Sequence, residues 1–261
     1  MQELIAQLES LVRDRLEDWP PAWERYHWPG YTYDHTLRVR NLAGMMAAEE
    51  GADVAVVELA AILHDIAKDA GGDHGVAGAR EAGGILRAHG VADELIGAVC
   101  SAIATHTGKN TPEHPIENLV LGDADLIDAN FGLVATWRFI TIRAGHETPL
   151  PETIESMAEW LPRKDALMEK LLTETGLRIA RERSVRMHEF CMDLRTALQA
   201  DVVDDGYSLL SAAGHIAESH TTGRLDAQVE EIKAAARHSD SAAFEVAEMC
   251  RALRAEITGS A

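Results

Sequence analysis

The chain has 261 residues, with 24 Lys and Arg against 43 Asp and Glu and a net charge of −19 at neutral pH. That acidity argues against non-specific nucleic-acid binding, which needs clustered Lys and Arg to displace counterions from phosphates; it disfavours an anionic membrane surface for the same reason. Hydrophobic residues at 46% and charged residues at 26% are ordinary globular values, enough for one large domain or one domain with an appendage.

Residues 2–18 place Leu4, Ile5, Leu8, Leu11, Val12 and Leu16 at helical spacing. Acids run through this stretch, so it does not read as a signal peptide. The segment 19–33 breaks the pattern with three prolines and a glycine. Its tryptophans read as an aromatic connector packed on the domain rather than a platform for a base. Asp34 is the expected N-cap of a second helix that ends at Gly51. The most apolar stretch, 53–68, is expected to be a central helix, followed by a GGDHG loop at 71–75. Residues 76–90 and 92–108 read as two helices, each closed by a glycine. A polar loop at 109–116 leads into an apolar run over 117–144.

HETPLP at 146–151 marks a break. Helices are expected at 152–160 and 163–199, then near 206–220, 223–236 and 240–257. No segment alternates with the period of a strand, so the expected class is all-α. A soft boundary near residue 200 would separate a 1–200 domain from a 201–261 helical appendage of unassigned role. Cys100, Cys191 and Cys250 are too few and too far apart for a disulfide framework or a CxxC zinc pattern. No stretch nears the eighteen or so apolar residues of a membrane helix. A cytoplasmic protein is the expectation.

The chemistry is concentrated in the first half. Twelve histidines occur, several beside carboxylates. His64 and Asp65 sit together in apolar surroundings, where burial demands partners, and a metal ion is an effective one. Lys68 follows His64 by four residues and is expected on the same helical face, where its ammonium could grip an anionic oxygen. His35, His74, His106, Asp123, Asp125 and Asp128 supply further donors. Nitrogen ligands mixed with carboxylates suit one or two first-row divalent ions (Fe, Mn, Co, Ni or Zn) better than an all-oxygen Mg or Ca cage.

Three strings carry a resemblance: DHTLRVRNLA at 34–43, LAAILHDIAKD at 59–69 and VLGDADLIDAN at 120–130. A histidine, a His-Asp pair and a distant aspartate on successive helices resemble the HD-domain superfamily of metal-dependent phosphohydrolases, over about residues 30–145. The resemblance implies an HD-type helical bundle with additional C-terminal helices. It implies His35, His64, Asp65 and Asp125 as metal ligands, with Asp123 the reserve for the last. Its binuclear branches imply His74 and His106 as well, with Asp65 bridging two ions and His114 a lesser alternative to His106. The HTG string at 106–108 is similar to an element of dinucleoside-tetraphosphate hydrolases, although the text beyond it departs from theirs.

The function implied is hydrolysis of a small phosphate ester or nucleotide by metal-activated water, with Asp65 and Lys68 catalytic and Arg38 a further cation. The partner expected is a small anionic, phosphorylated substrate, with no nucleic acid, no membrane and room for a homodimer. Two other readings stay open: a di-iron oxygenase, which related branches resemble, and a non-catalytic module that binds a nucleotide or a partner.

Overall fold

The structure is a computed structural model that describes residues 1–17, 28, 30–69, 72–200, 207–219, 224–237 and 243–259. The described chain is helical and contains no β-strand, as the absence of period-two segments predicts. The helices are α1 (Gln2–Leu16), α2 (Tyr31–Glu50), α3 (Val54–Leu63), α4 (His74–Ala88), α5 (Asp93–Thr105), α6 (Ile116–Asn130), α7 (Leu133–Gly145), α8 (Leu150–Asp165), α9 (Glu174–Gln199), α10 (Leu209–Glu218), α11 (Leu225–Ala236) and α12 (Ala243–Thr258). Most of the 19–29 connector lies outside the described residues. Its Trp28 is buried and meets Tyr31 edge-on, with ring centroids 4.8 Å apart.

Two compact units emerge. One holds α1, α2 from Thr32, α3 to α6 through Ala129, and Met168–Ala180. The described residues of the other are Trp28, Gly30 and Tyr31, Asn130–Leu167, and those from Arg181 onward. The helices beyond residue 200 thus share a unit with α7 and α8.

In the first unit α3 is the axis. Asp53 caps its N-terminus, its carboxylate accepting from the Ala55 amide at 2.8 Å, the interaction that makes Asp a preferred N-cap. Val57, Leu59, Ile62 and Leu63 are fully buried, each worth roughly 1.5–3 kcal/mol relative to exposure. α4 approaches closely because its inner face is small. A Cβ on Gly75 would lie 3.1 Å from the Ile103 carbonyl, and one on Gly78 would lie 3.2 Å from that of His64. These glycines let α4 run along α5 and against the chain at His64, which brings His74 to the site.

Several local expectations are corrected. α2 starts at Tyr31, so Asp34 lies in its first turn and is not the N-cap. α3 stops at Leu63 with His64 as C-cap. His64 to Lys68 therefore form tight turns, with Ile66 N–H donating to the Leu63 carbonyl and Lys68 N–H to that of Asp65. The apolar run 117–144 is two helices, interrupted at Gly132, whose φ of 101° favours glycine. α8 runs from Leu150 to Asp165, longer than expected.

The second unit has its own core. Trp137, Ile154, Met157, Met187, Leu194, Ile216, Ile232 and Leu253 are among its buried members. The buried Glu256 carboxylate accepts from the Leu133 and Val134 amides at 3.0 Å each, placing an anion at the N-terminus of α7.

Candidate metal centre

The chain from α2 to α6 supplies every residue of a histidine–aspartate cluster in the first unit. His35 comes from the start of α2, His64 and Asp65 from the turn after α3, and His74 from the first position of α4. His106 is the C-cap of α5, and Asp125 and Asp128 lie on α6. Asp73 caps α4 and pairs with Lys109, which ties the chain at His74 to the loop after His106.

Asp65 stands at the centre. Its Oδ2 lies 3.5 Å from His64 Nε2 and 3.9 Å from His35 Nε2. Its Oδ1 lies 3.5 Å from His74 Nε2 and 3.8 Å from His106 Nε2. Asp125 Oδ1 closes the first side, 3.0 Å from His35 Nε2 and 3.8 Å from His64 Nε2. Two donors about 2.1 Å from a common ion stand about 3.0–3.4 Å apart at octahedral or tetrahedral angles. The donors here are at that spacing or slightly beyond it. Two groups of three, His35–His64–Asp125 and His64–Asp65–His106, each gather their ligand atoms within 4.8 Å.

The hydrogen bonding of the rings fits a metal. His64 Nδ1–H donates to the Ala61 carbonyl at 2.7 Å, and His106 Nδ1–H donates to that of Ile103 at 2.6 Å. Each bond fixes the tautomer and leaves Nε2 with its lone pair. Both Nε2 atoms are buried and without a hydrogen-bond partner, a costly condition unless something else binds there. Burial pushes His64 down to about 4, so the ring is neutral and a competent ligand at pH 7. His35 Nδ1–H donates to Asp128 Oδ2 at 2.6 Å, the carboxylate–histidine pairing that orients metal-binding imidazoles.

The carboxylates are ionised. Burial opposes ionisation of Asp65, but the His64 ring and the Lys68 ammonium hold it well below the usual range. Burial likewise opposes ionisation of Asp128, and the Arg38 guanidinium outweighs it. Arg38 forks onto Asp128 at 2.8 and 3.0 Å and is buried, so it holds the carboxylate that orients His35 and is not a cation facing substrate. Lys68 Nζ lies 3.0 and 3.1 Å from the two Asp65 oxygens. Between His64 and Lys68 the chain leaves α geometry, and its tight turns set Lys68 against Asp65, three residues before it.

The reserve ligands are elsewhere. Asp123 accepts from the Leu172 and Thr173 amides and from Thr173 Oγ1, at 2.7–3.1 Å. His114 Nδ1 accepts from the Thr111 amide inside its own loop at 3.0 Å. Asp128, whose orienting role sequence reasoning missed, sits three residues after Asp125 and so on the same helical face. That spacing was the available signal. Cys100 is partly buried, and burial raises its thiol pKa, which does not favour a nucleophile.

A helical unit organised around a buried His-Asp cluster offers a donor set that could hold a metal ion. Residues 32–130 match the family model of the HD domain, and that stretch of the chain is an HD domain. The chain is also similar to curated relatives. Ribonuclease Y from Rubrobacter xylanophilus is 34% identical over 99 residues, and ribonuclease Y from Desulforamulus reducens is 39% identical over 97. These matches cover 36% of this chain and 18% of each relative, so the chain spans under a fifth of their length. Among solved structures, Bacillus subtilis YpgQ in complex with ADP superposes with a TM-score of 0.58 at 23% identity, over 76% of this chain and 96% of that one. An HD-superfamily hydrolase from Bacillus thuringiensis gives 0.58 at 22%, over 77% and 99%. These likenesses show the fold. No described helix is long and apolar enough to cross a membrane.

Proposed function

We propose that this protein is a metal-dependent phosphohydrolase acting on a small phosphate ester or nucleotide. One observation carries the reading: the two oxygens of buried Asp65 are divided between two pairs of histidine Nε2 atoms, at 3.5–3.9 Å. In this reading His35, His64, Asp65 and Asp125 hold one divalent transition-metal ion, and Asp65, His74 and His106 hold a second. When bound, such ions polarise phosphoryl oxygens and lower the pKa of water to about 7 in favourable sites.

The chain's own residues do the rest. Asp65 stays ionised and bridges the two ligand sets. Asp128 holds His35 in register. Lys68 is partly exposed where it meets Asp65, so its ammonium can turn from that carboxylate toward negative charge developing on phosphoryl oxygens. Lys68, together with any ions held by these residues, would supply the local positive field that a chain of net charge −19 lacks.

A second reading is favoured by the likeness to ribonuclease Y: cleavage of an RNA phosphodiester at the same centre. It runs against the acidic surface and against the expectation of no nucleic-acid partner. The deciding experiment measures metal per chain before and after a chelator. It then assays the loaded protein on phosphomonoesters, nucleotides and an RNA oligomer, with and without oxygen. About two equivalents of a transition metal and oxygen-independent phosphate release from small substrates are expected. No retained metal after reconstitution overturns the proposal. Preference for the RNA oligomer moves the second reading to first place, and strict oxygen dependence replaces both with the oxygenase.

A further inference from the structure

A cavity of about 510 Å³ lies within the first unit, and two of its lining residues, His106 and Asp125, belong to the proposed ligand set. The cavity therefore opens onto the metal centre. Its size lies within the range of small-ligand sites, about 300–1,000 Å³. Its remaining polar lining comes from the loop after α5 and from Lys170, the last residue of the short helix Ala166–Lys170.

Two of these groups lack a partner. Thr107 Oγ1 and Asn110 Oδ1 are buried atoms with no hydrogen bond, a costly condition for a polar atom. Asn110 is fixed in its orientation, because its Nδ2 donates to the Asn118 carbonyl at 2.7 Å. Its Oδ1 therefore offers an acceptor, and a ligand must bring the donor. Gly122 makes this placement feasible: a Cβ there would lie 2.3 Å from Asn110 Nδ2. Lys170 is exposed and forms no ion pair among the described residues. The Asp123 carboxylate on the same wall is taken by Leu172 and Thr173, as described above. Leu126 and Leu172 add an apolar surface.

We infer that Lys170, Thr107 and Asn110 form a recognition subsite beside the metal centre for a small phosphorylated molecule whose leaving group carries hydroxyl or amino donors. Lys170 takes a phosphate oxygen. Thr107 and Asn110 take the donors, and the two leucines flank the apolar part of the leaving group. This inference rests on the phosphohydrolase reading and adds the residues that select the substrate.

The test uses the full chain loaded with metal. Turnover of p-nitrophenyl phosphate is measured, with inorganic phosphate and adenosine monophosphate as competitive inhibitors. Lys170→Met is expected to raise KM and the phosphate inhibition constant about tenfold, as for loss of one charge-assisted contact. The loss should fall on KM more than on kcat, and Lys170→Arg should restore most of it. Thr107→Val keeps the shape and removes the hydroxyl, so it should weaken adenosine monophosphate more than inorganic phosphate. Unchanged KM and inhibition constants in Lys170→Met with full metal content overturn the subsite and leave the phosphohydrolase reading standing. Loss of metal in Lys170→Met also overturns it, because the lysine is then structural. A loaded wild type that neither hydrolyses the ester nor binds phosphate overturns both.

Discussion

His35 and Asp128 are joined by a 2.6 Å hydrogen bond from ring Nδ1 to carboxylate Oδ2, deep in the first unit. Arg38 grips the same carboxylate with two further bonds. The three groups form a chain in which a buried cation fixes a carboxylate and the carboxylate fixes a ring. Asp128→Asn keeps the shape and removes the charge. The ring then loses its orienting partner and the guanidinium its counter-ion. Metal affinity is expected to fall about 10–100-fold, with a loss of stability of about 3–5 kcal/mol from the unpaired buried charge. Chelator competition and a melting curve read the two effects separately. An unaltered metal affinity would show that His35 is not a ligand.

The division of the Asp65 oxygens makes a prediction about stoichiometry. Asp65→Ala should remove both ions, because each side of the cluster loses an oxygen donor. The double variant His74→Ala, His106→Ala should lose one ion and keep the other, since His35, His64, Asp65 and Asp125 remain. Elemental analysis decides. Complete loss in the double variant would mean that the histidines at α4 and α5 serve the first ion.

Lys68 and Asp65 make the next test. The ion pair spans 3.0–3.1 Å and lies three residues apart along the chain. If the ammonium serves substrate, Lys68→Met should lower kcat about 10²-fold while metal content holds within about twofold. If metal is lost along with activity, the lysine instead positions Asp65. Metal content and kcat measured on one preparation separate the two.

The all-α class was legible because apolar residues recur at helical spacing, but the boundaries around the cluster were not: His64 and Asp65 fall in the turn after α3, and His74 opens α4. The His-Asp strings likewise named residues that the fold brings together. What periodicity did not convey was the direction of the carboxylates in GDADLIDAN. Asp123 and Asp125 are two residues apart, about 200° around a helix, so they face opposite ways. Asp125 meets His35, and Asp123 anchors Leu172 and Thr173. Asp125→Ala is expected to lower metal content and Asp123→Ala to leave it unchanged while reducing the melting temperature. The reverse result would exchange their roles. The end of α3 was not legible either, because it stops at Leu63 although no glycine or proline follows until Gly71.

The protonation of His64 gives a pH signature in the metal-free protein. Burial lowers the ring from 6.5 to about 4. Between those values the unfolded chain binds a proton that the folded chain refuses. The unfolded state holds more protons in that window, so stability rises with pH across it and falls as pH drops from 6.5 toward 4. Two and a half pH units correspond to about 3 kcal/mol. The depressed carboxylates of Asp65, Asp125 and Asp128 act in a lower window. They are ionised in both states above the ordinary carboxylate range, and their contribution is lost only as pH falls below it. Urea midpoints at pH 7, 6, 5 and 4 in excess chelator should therefore decline before the carboxylates titrate. His64→Gln should flatten the decline between pH 6.5 and 4. Equal declines in the wild type and in His64→Gln over that interval would show that the His64 ring takes its proton in the folded state.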